Sequence, residues 1–119
     1  MACKFTELVI DSSDPKPLAR FWADVLGYRV DKEGDDWSFI KGDEPGAPGI
    51  VFVTVPEKKT VKNRVHIDVN ATDRDQAEEV ARIESLGATR VDVGQRDVSW
   101  VVLADPEGNE FCVLRSRVD

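Results

Sequence analysis

The chain has 119 residues, with 16 basic and 23 acidic side chains and a net charge of −7. That length suits one domain, and the acidic balance excludes a phosphate-backbone binder and disfavours an anionic membrane surface. Apolar residues make up 41% of the chain, but no run approaches the roughly 20 residues that span a bilayer, so neither nucleic acid nor membrane is an expected partner. Met1-Ala2-Cys3-Lys4-Phe5 lacks the apolar stretch of a secretory leader. Cys3 and Cys112 are the only cysteines, as suits free thiols, and the expected location is cytoplasmic.

Phe5–Ile10 alternates as a strand does. Asp14-Pro15 then predicts a helix start, with Asp14 as N-cap and Pro15 at the first helical position. Leu18, Phe21, Trp22, Val25 and Leu26 form one apolar stripe, and Gly27 is placed to end the helix in a left-handed conformation. Three strands follow over Tyr28–Lys32, Trp37–Lys41 and Ile50–Val55, with a loop rich in Gly and Pro before the last. Glu57–Asn63 is polar, holds three lysines and reads as a connector.

The grammar then repeats. Arg64–Val69 reads as a strand, and Asp73 as the cap of a helix with Ala77, Val80, Ala81, Ile83 and Leu86 inward. Gly87 ends that helix, and Thr89–Val93, Ser99–Ala104 and Glu110–Arg115 read as strands. Asp14 and Asp73, Leu26-Gly27 and Leu86-Gly87, Val30-Asp31 and Val91-Asp92 recur about 60 residues apart, too long a period for a helical solenoid. Each copy is strand-helix-strand-strand-strand.

Residues i and i+2 of a strand share a face. If Leu8, Ile10, Val65, Ile67, Val69, Phe111 and Val113 face the helices, the opposite faces carry Glu7, His66, Asp68 and Cys112. Carboxylate, imidazole and thiolate all ligate divalent metals, and the same groups supply acids and bases. Trp37, Phe39, Phe52, Val53 and Trp100 are candidates for a ligand-binding surface. Plainer readings stand beside these. Strand aromatics often belong to cores, a buried Cys behaves as a small hydrophobe, and the acids could be solvated or paired with Arg64.

The doubled unit resembles the vicinal oxygen chelate superfamily of glyoxalases, bleomycin-resistance proteins and extradiol dioxygenases, in particular small bacterial glyoxalase-like proteins. The matching residues are Asp14, Phe21-Trp22 and Leu26-Gly27, then His66-Ile67-Asp68, Leu86-Gly87-Ala88 and Asp105-Pro106-Glu107-Gly108-Asn109-Glu110-Phe111. The resemblance implies an α+β fold in which two βαβββ modules, about 4–56 and 64–116, form one domain over 1–119 with a cup-shaped mixed sheet. It also implies a homodimer. Carried over by position, its metal ligands fall on Glu7, His66 and Cys112, with Asp68 as a base or a support. The fourth-strand ligand position falls at Phe52 or Val53, neither of which can ligate.

Two functional readings follow. In the first, the cavity holds a small neutral or cationic molecule by contact area, and glyoxalase I activity is not expected because Cys112 stands where those enzymes have Glu. The alternative is a metal-dependent lyase, isomerase or dioxygenase with a divalent ion (Zn, Fe, Mn or Ni) on Glu7, His66 and Cys112 and with Asp68 catalytic.

Overall fold

Alternation along the first strand and the 3.6-residue stripe that follows it build the first half of the chain. The computed structural model describes residues 2–118 and divides them between two units, Met1–Lys58 and Lys59–Asp119. In the first, β1 (Glu7–Ser12) leads to α1 (Pro15–Leu26), then to β2 (Arg29–Glu33), β3 (Trp37–Lys41) and β4 (Gly49–Thr54). The sheet order is β1-β4-β3-β2, parallel between β1 and β4 and antiparallel elsewhere.

Pro15 opens α1 because its missing N–H is no loss in the first turn. Gly27 closes it at φ +68°, where a β-carbon would be strained. Leu18, Phe21, Trp22 and Val25 are buried, with Phe21 and Trp22 edge to face at 5.5 Å between ring centroids. They pack on the sheet face that presents Ser38, Ile40, Ile50 and Phe52, all buried.

The second unit repeats the plan. β5 (Ile67–Val69), α2 (Gln76–Ser85), β6 (Thr89–Arg90), β7 (Val101–Ala104) and β8 (Glu110–Val113) form a sheet in the order β5-β8-β7-β6. β5 and β8 are parallel and the remaining pairs antiparallel. Val80, Ile83, Leu103, Phe111 and Val113 are fully buried in its core. The chain is thus an α+β fold of two βαβββ modules with the same strand order. Among the described residues, no helix is long and apolar enough to cross a membrane.

Three local expectations are corrected. The cap of α2 is Asp75, not Asp73: the Glu78 N–H donates to Asp75 Oδ1 at 2.8 Å and the Asp75 N–H to Glu78 Oε1 at 3.5 Å. This reciprocal box satisfies two amide donors that Asp73 would leave open. The inward face of α2 holds Val80 and Ile83 but not Ala77 and Ala81, which are exposed. At 100° per residue those alanines lie roughly 90° or more from the Val80–Ile83 direction. Glu79 lies nearer and is buried, its carboxylate gripped by Arg82 at 2.6 and 3.2 Å. The second unit's strands are also shorter than expected: Arg64–His66, Val91–Val93 and Ser99–Trp100 lie outside them, and Val65 is exposed.

Candidate functional site

The ladder of the second sheet aligns one row of side chains across three strands. Asp68 on β5 pairs with Cys112 on β8, and Cys112 with Val102 on β7. Their neighbours Ile67, Val69, Phe111, Val113 and Leu103 alternate to the other face, toward α2. The row therefore stands on the face away from the helix, together with His66, Glu110, Leu114 and Trp100.

That face and the loop after β6 enclose a cavity of about 570 Å³. Its polar lining includes His66, Asp68, Cys112, Glu110, Lys62 and Gln95, and its apolar lining Trp100, Val102, Leu114 and Val93. Extending the register by one residue sets Trp100 beside Leu114 and His66 beside Glu110. The sheet thus grades along its strands from a polar end to an apolar end.

At the polar end, ligand atoms of His66, Asp68 and Cys112 lie within 4.8 Å of one another. His66 Nε2 is 3.2 Å from Asp68 Oδ1, and both side chains are nearly half exposed, at 44% and 49%. Cys112 is 7% exposed. Burial pushes its thiol pKa up, the Asp68 carboxylate adds to the rise, and Lys62 opposes it. The free thiol is therefore neutral at pH 7 and a poor nucleophile.

Glu110 is committed elsewhere. Lys59 Nζ donates to its Oε2 at 2.8 Å and the Asn63 N–H to its Oε1 at 3.0 Å. Burial works to raise its pKa, but these hydrogen bonds outweigh it and hold the carboxyl below its ordinary range. Asn63 Nδ2 also donates to Asn109 Oδ1 at 2.8 Å, so the connector is stitched to the turn before β8.

The donor chemistry fits a divalent ion. Zinc takes nitrogen, oxygen and sulfur at about 2.0–2.3 Å, and catalytic sites commonly use three protein ligands. The imidazole and carboxylate are nearly half exposed, whereas the thiol is buried within β8. Two of the trio expected from the sequence, His66 and Cys112, are brought together here. Asp68 joins His66 and Cys112, whereas Glu7 belongs to the first unit, exposed at the start of β1 and paired with Gly49.

The aromatic candidates separate. Trp37, Phe39 and Val53 share the face of the first sheet turned away from α1, with Trp37 opposite Val53 and Phe39 opposite Val51. The Trp37 ring lies over Gly34 and the Phe39 ring over Gly49, so closely that a β-carbon on either glycine would stand 2.3 or 2.5 Å from them. Phe52 is on the opposite face with 0% exposure, sealed against α1, and has no surface to offer a ligand. Trp100 belongs to the second unit and lines its cavity.

Sequence reasoning missed Lys62, Val93, Gly94 and Gln95. The Asp92–Gly94 spacing signals a side-chain turn: the Gly94 N–H donates to Asp92 Oδ1 at 2.8 Å, with Gly94 at φ +89°. Lys62 carried no signal that set it apart from Lys58 and Lys59.

A family model described as a glyoxalase-like domain matches residues 7–114. No curated protein matches the chain. Among solved structures, the chain is similar to a genomically encoded fosfomycin resistance protein, FosX, from Listeria monocytogenes, at a TM-score of 0.74 and 14% identity over 99% of this chain and 94% of that one. Another structure of that protein, a mutant complexed with Mn(II) and 1S,2S-dihydroxypropylphosphonic acid, matches at 0.73 and 13% over 99% and 93%. A glyoxalase/bleomycin resistance protein/dioxygenase family enzyme from Burkholderia phytofirmans PsJN matches at 0.71 and 17% over 91% and 94%.

Proposed function

The chain belongs to the glyoxalase-like domain family, and from that premise we propose that it binds a small amphipathic molecule in the cavity of its second unit. One observation carries this reading: about 570 Å³ of space graded from His66 and Asp68 to Trp100, Val102 and Leu114. The volume falls within the range of small-molecule sites, and a few convergent polar groups on an apolar wall are their usual make-up. Asp68 and the net charge of −7 favour a neutral or cationic ligand.

Calorimetric titration with a panel of aromatic metabolites and antibiotics tests it. One molecule per chain is expected to bind, and Trp100→Ala is expected to weaken the best binder about tenfold. A best binder indifferent to Trp100→Ala and to Leu114→Ala counts against the cavity.

A second reading is favoured by the His66–Asp68–Cys112 group. Those three residues would hold a divalent ion, which when bound supplies a Lewis acid for a ligand oxygen. The chain's own part is to orient and to move a proton. Asp68 Oδ1, 3.2 Å from His66 Nε2, would orient the imidazole, and both side chains line the cavity in which a ligand would sit. The Mn(II) and phosphonate bound by the Listeria protein support a metal-assisted reaction here as the alternative to simple binding. Elemental analysis of untagged protein is the test, with one equivalent of metal lost in His66→Ala expected. Metal near zero after soaking sinks this reading and leaves the first.

We further propose that the two units fold as one domain and that the chain pairs as a homodimer in the cytoplasm. A single cooperative unfolding transition and twice the chain mass in sedimentation are expected. Two separate transitions, or a monomer at micromolar concentration, would go against them.

A further inference from the structure

We propose that Cys112 sets the identity of the ion at this site, making it a mixed nitrogen–oxygen–sulfur centre that takes zinc-like borderline ions in preference to manganese or magnesium. The inference rests on the metal reading given above, in which Cys112 is one of three ligands, and adds to it a selectivity set by that sulfur.

The argument begins with where each donor is anchored. Cys112 lies inside β8, between the fully buried Phe111 and Val113, and has Asp68 on one side of the ladder and Val102 on the other. Its backbone is fixed on both edges, and at 7% exposure its side chain has little freedom. His66 precedes β5, and Asp68 lies on that three-residue edge strand; both are nearly half exposed. An ion therefore finds one immobile sulfur and two adjustable donors, and the sulfur fixes where it can sit.

Among the described residues of the second unit, the neighbouring side chains are apolar or already engaged, Gln95 Oε1 accepting from the Val93 N–H at 2.7 Å. Val102, on the far side of Cys112, is apolar. Glu110, two residues away on the same face, already accepts from Lys59 and from the Asn63 amide. Withdrawing it would strand a cation and a backbone N–H. The cluster thus offers three donors, all of which line the cavity.

Ion preference follows from the donors. Thiolate is soft and suits zinc and its neighbours, whereas manganese, magnesium and calcium favour oxygen-rich sets. One sulfur among three protein donors weights the centre toward zinc and cobalt(II). It also makes uptake release the thiol proton, since only the thiolate ligates.

The experiment is a cobalt(II) titration of chelator-treated, untagged protein in a Cys3→Ser background, where Cys112 is the one remaining thiol. A sulfur-to-cobalt charge-transfer band is expected, saturating at one ion per chain. Zinc is expected to bleach it stoichiometrically while equimolar manganese leaves it in place. Adding Cys112→Ser is expected to abolish the band and weaken zinc binding by at least about tenfold. Because serine at a buried position could disturb the sheet, a second readout uses the intact thiol: zinc is expected to slow alkylation of Cys112, and manganese is not.

Each outcome decides. One ion bound without the band, with Cys112→Ser binding it equally well, overturns the thiolate centre and leaves the metal reading on His66 and Asp68 alone. Manganese displacing cobalt as readily as zinc does overturns the selectivity. No uptake of zinc, cobalt or manganese removes both this inference and the metal reading.

Discussion

Asp68 and Cys112 are direct partners in the parallel ladder between β5 and β8, and that register sets a carboxylate beside a thiol on the face away from α2. The relationship is made by backbone pairing and not by a loop, so it persists as long as the sheet does. All three donors of this group lie in the second unit. Asp68→Asn, which removes a ligand carboxylate, is therefore expected to weaken metal binding by at least about tenfold, since even partners of the ligands are worth that much. Glu7→Gln is expected to leave it unchanged. Calorimetry on the two variants separates these, and a larger loss from Glu7→Gln would show that the first unit supplies a ligand.

The Glu110 clamp predicts an acid limit. Its carboxyl is held below the ordinary value of 4.5, with Lys59 and the Asn63 amide favouring the charged form in the folded chain only. A depressed carboxyl contributes stability above its unfolded pKa and loses it as pH falls through the folded one. Denaturant midpoints should thus hold at neutral pH and drop below pH 4.5 more steeply in the native chain than in Glu110→Gln. At pH 7 the same variant should cost about 1.5 kcal/mol, as expected for a hydrogen bond to a buried charge. Parallel pH profiles for the two proteins would refute the clamp.

The start of α2 gives a paired comparison. Asp75 accepts from the Glu78 N–H at 2.8 Å, whereas Asp73 engages only the side chain of Arg74 among the contacts described, at 2.9 and 3.1 Å. Asp75→Ala should cost about 1 kcal/mol, the usual loss for an N-cap. Asp73→Ala should shift the urea midpoint by clearly less. Equal shifts would mean that the cap is shared.

Both βαβββ modules were legible, because period-2 and period-3.6 segments alternate and glycines close the helices. The cavity face of His66, Asp68 and Cys112 was legible for the same reason: their neighbours Ile67, Val69, Phe111 and Val113 are all apolar. The same logic gave no answer at Phe52. The run Ile50–Val53 is apolar on both parities, as strands buried in parallel pairing are, so alternation could not say which face Phe52 took. The loop after β6 was hidden by Val91 and Val93, which mimic a strand. What ends the pairing there is side-chain bonding by Asp92 and Gln95, which period counting does not register. The cap of α2 was readable in principle, since only Asp75 has a Glu three residues on.

Phe52 and Trp100 then make a final opposed pair. Both are aromatic residues on or beside strands, and both were candidates for ligand contact. Phe52 has no exposed surface and packs under α1, so Phe52→Ala should cost about 3–5 kcal/mol through lost burial and the cavity left behind. It should leave ligand affinity in the second unit unchanged at temperatures where the variant is folded. Trp100 is 41% exposed and lines the cavity, so Trp100→Ala should cost less than about 1 kcal/mol of stability while weakening the ligand. Chemical denaturation and calorimetry on the two proteins read both effects. A Trp100→Ala chain that is badly destabilised, or a Phe52→Ala chain that folds with native stability, would reverse the roles assigned to the two sheet faces.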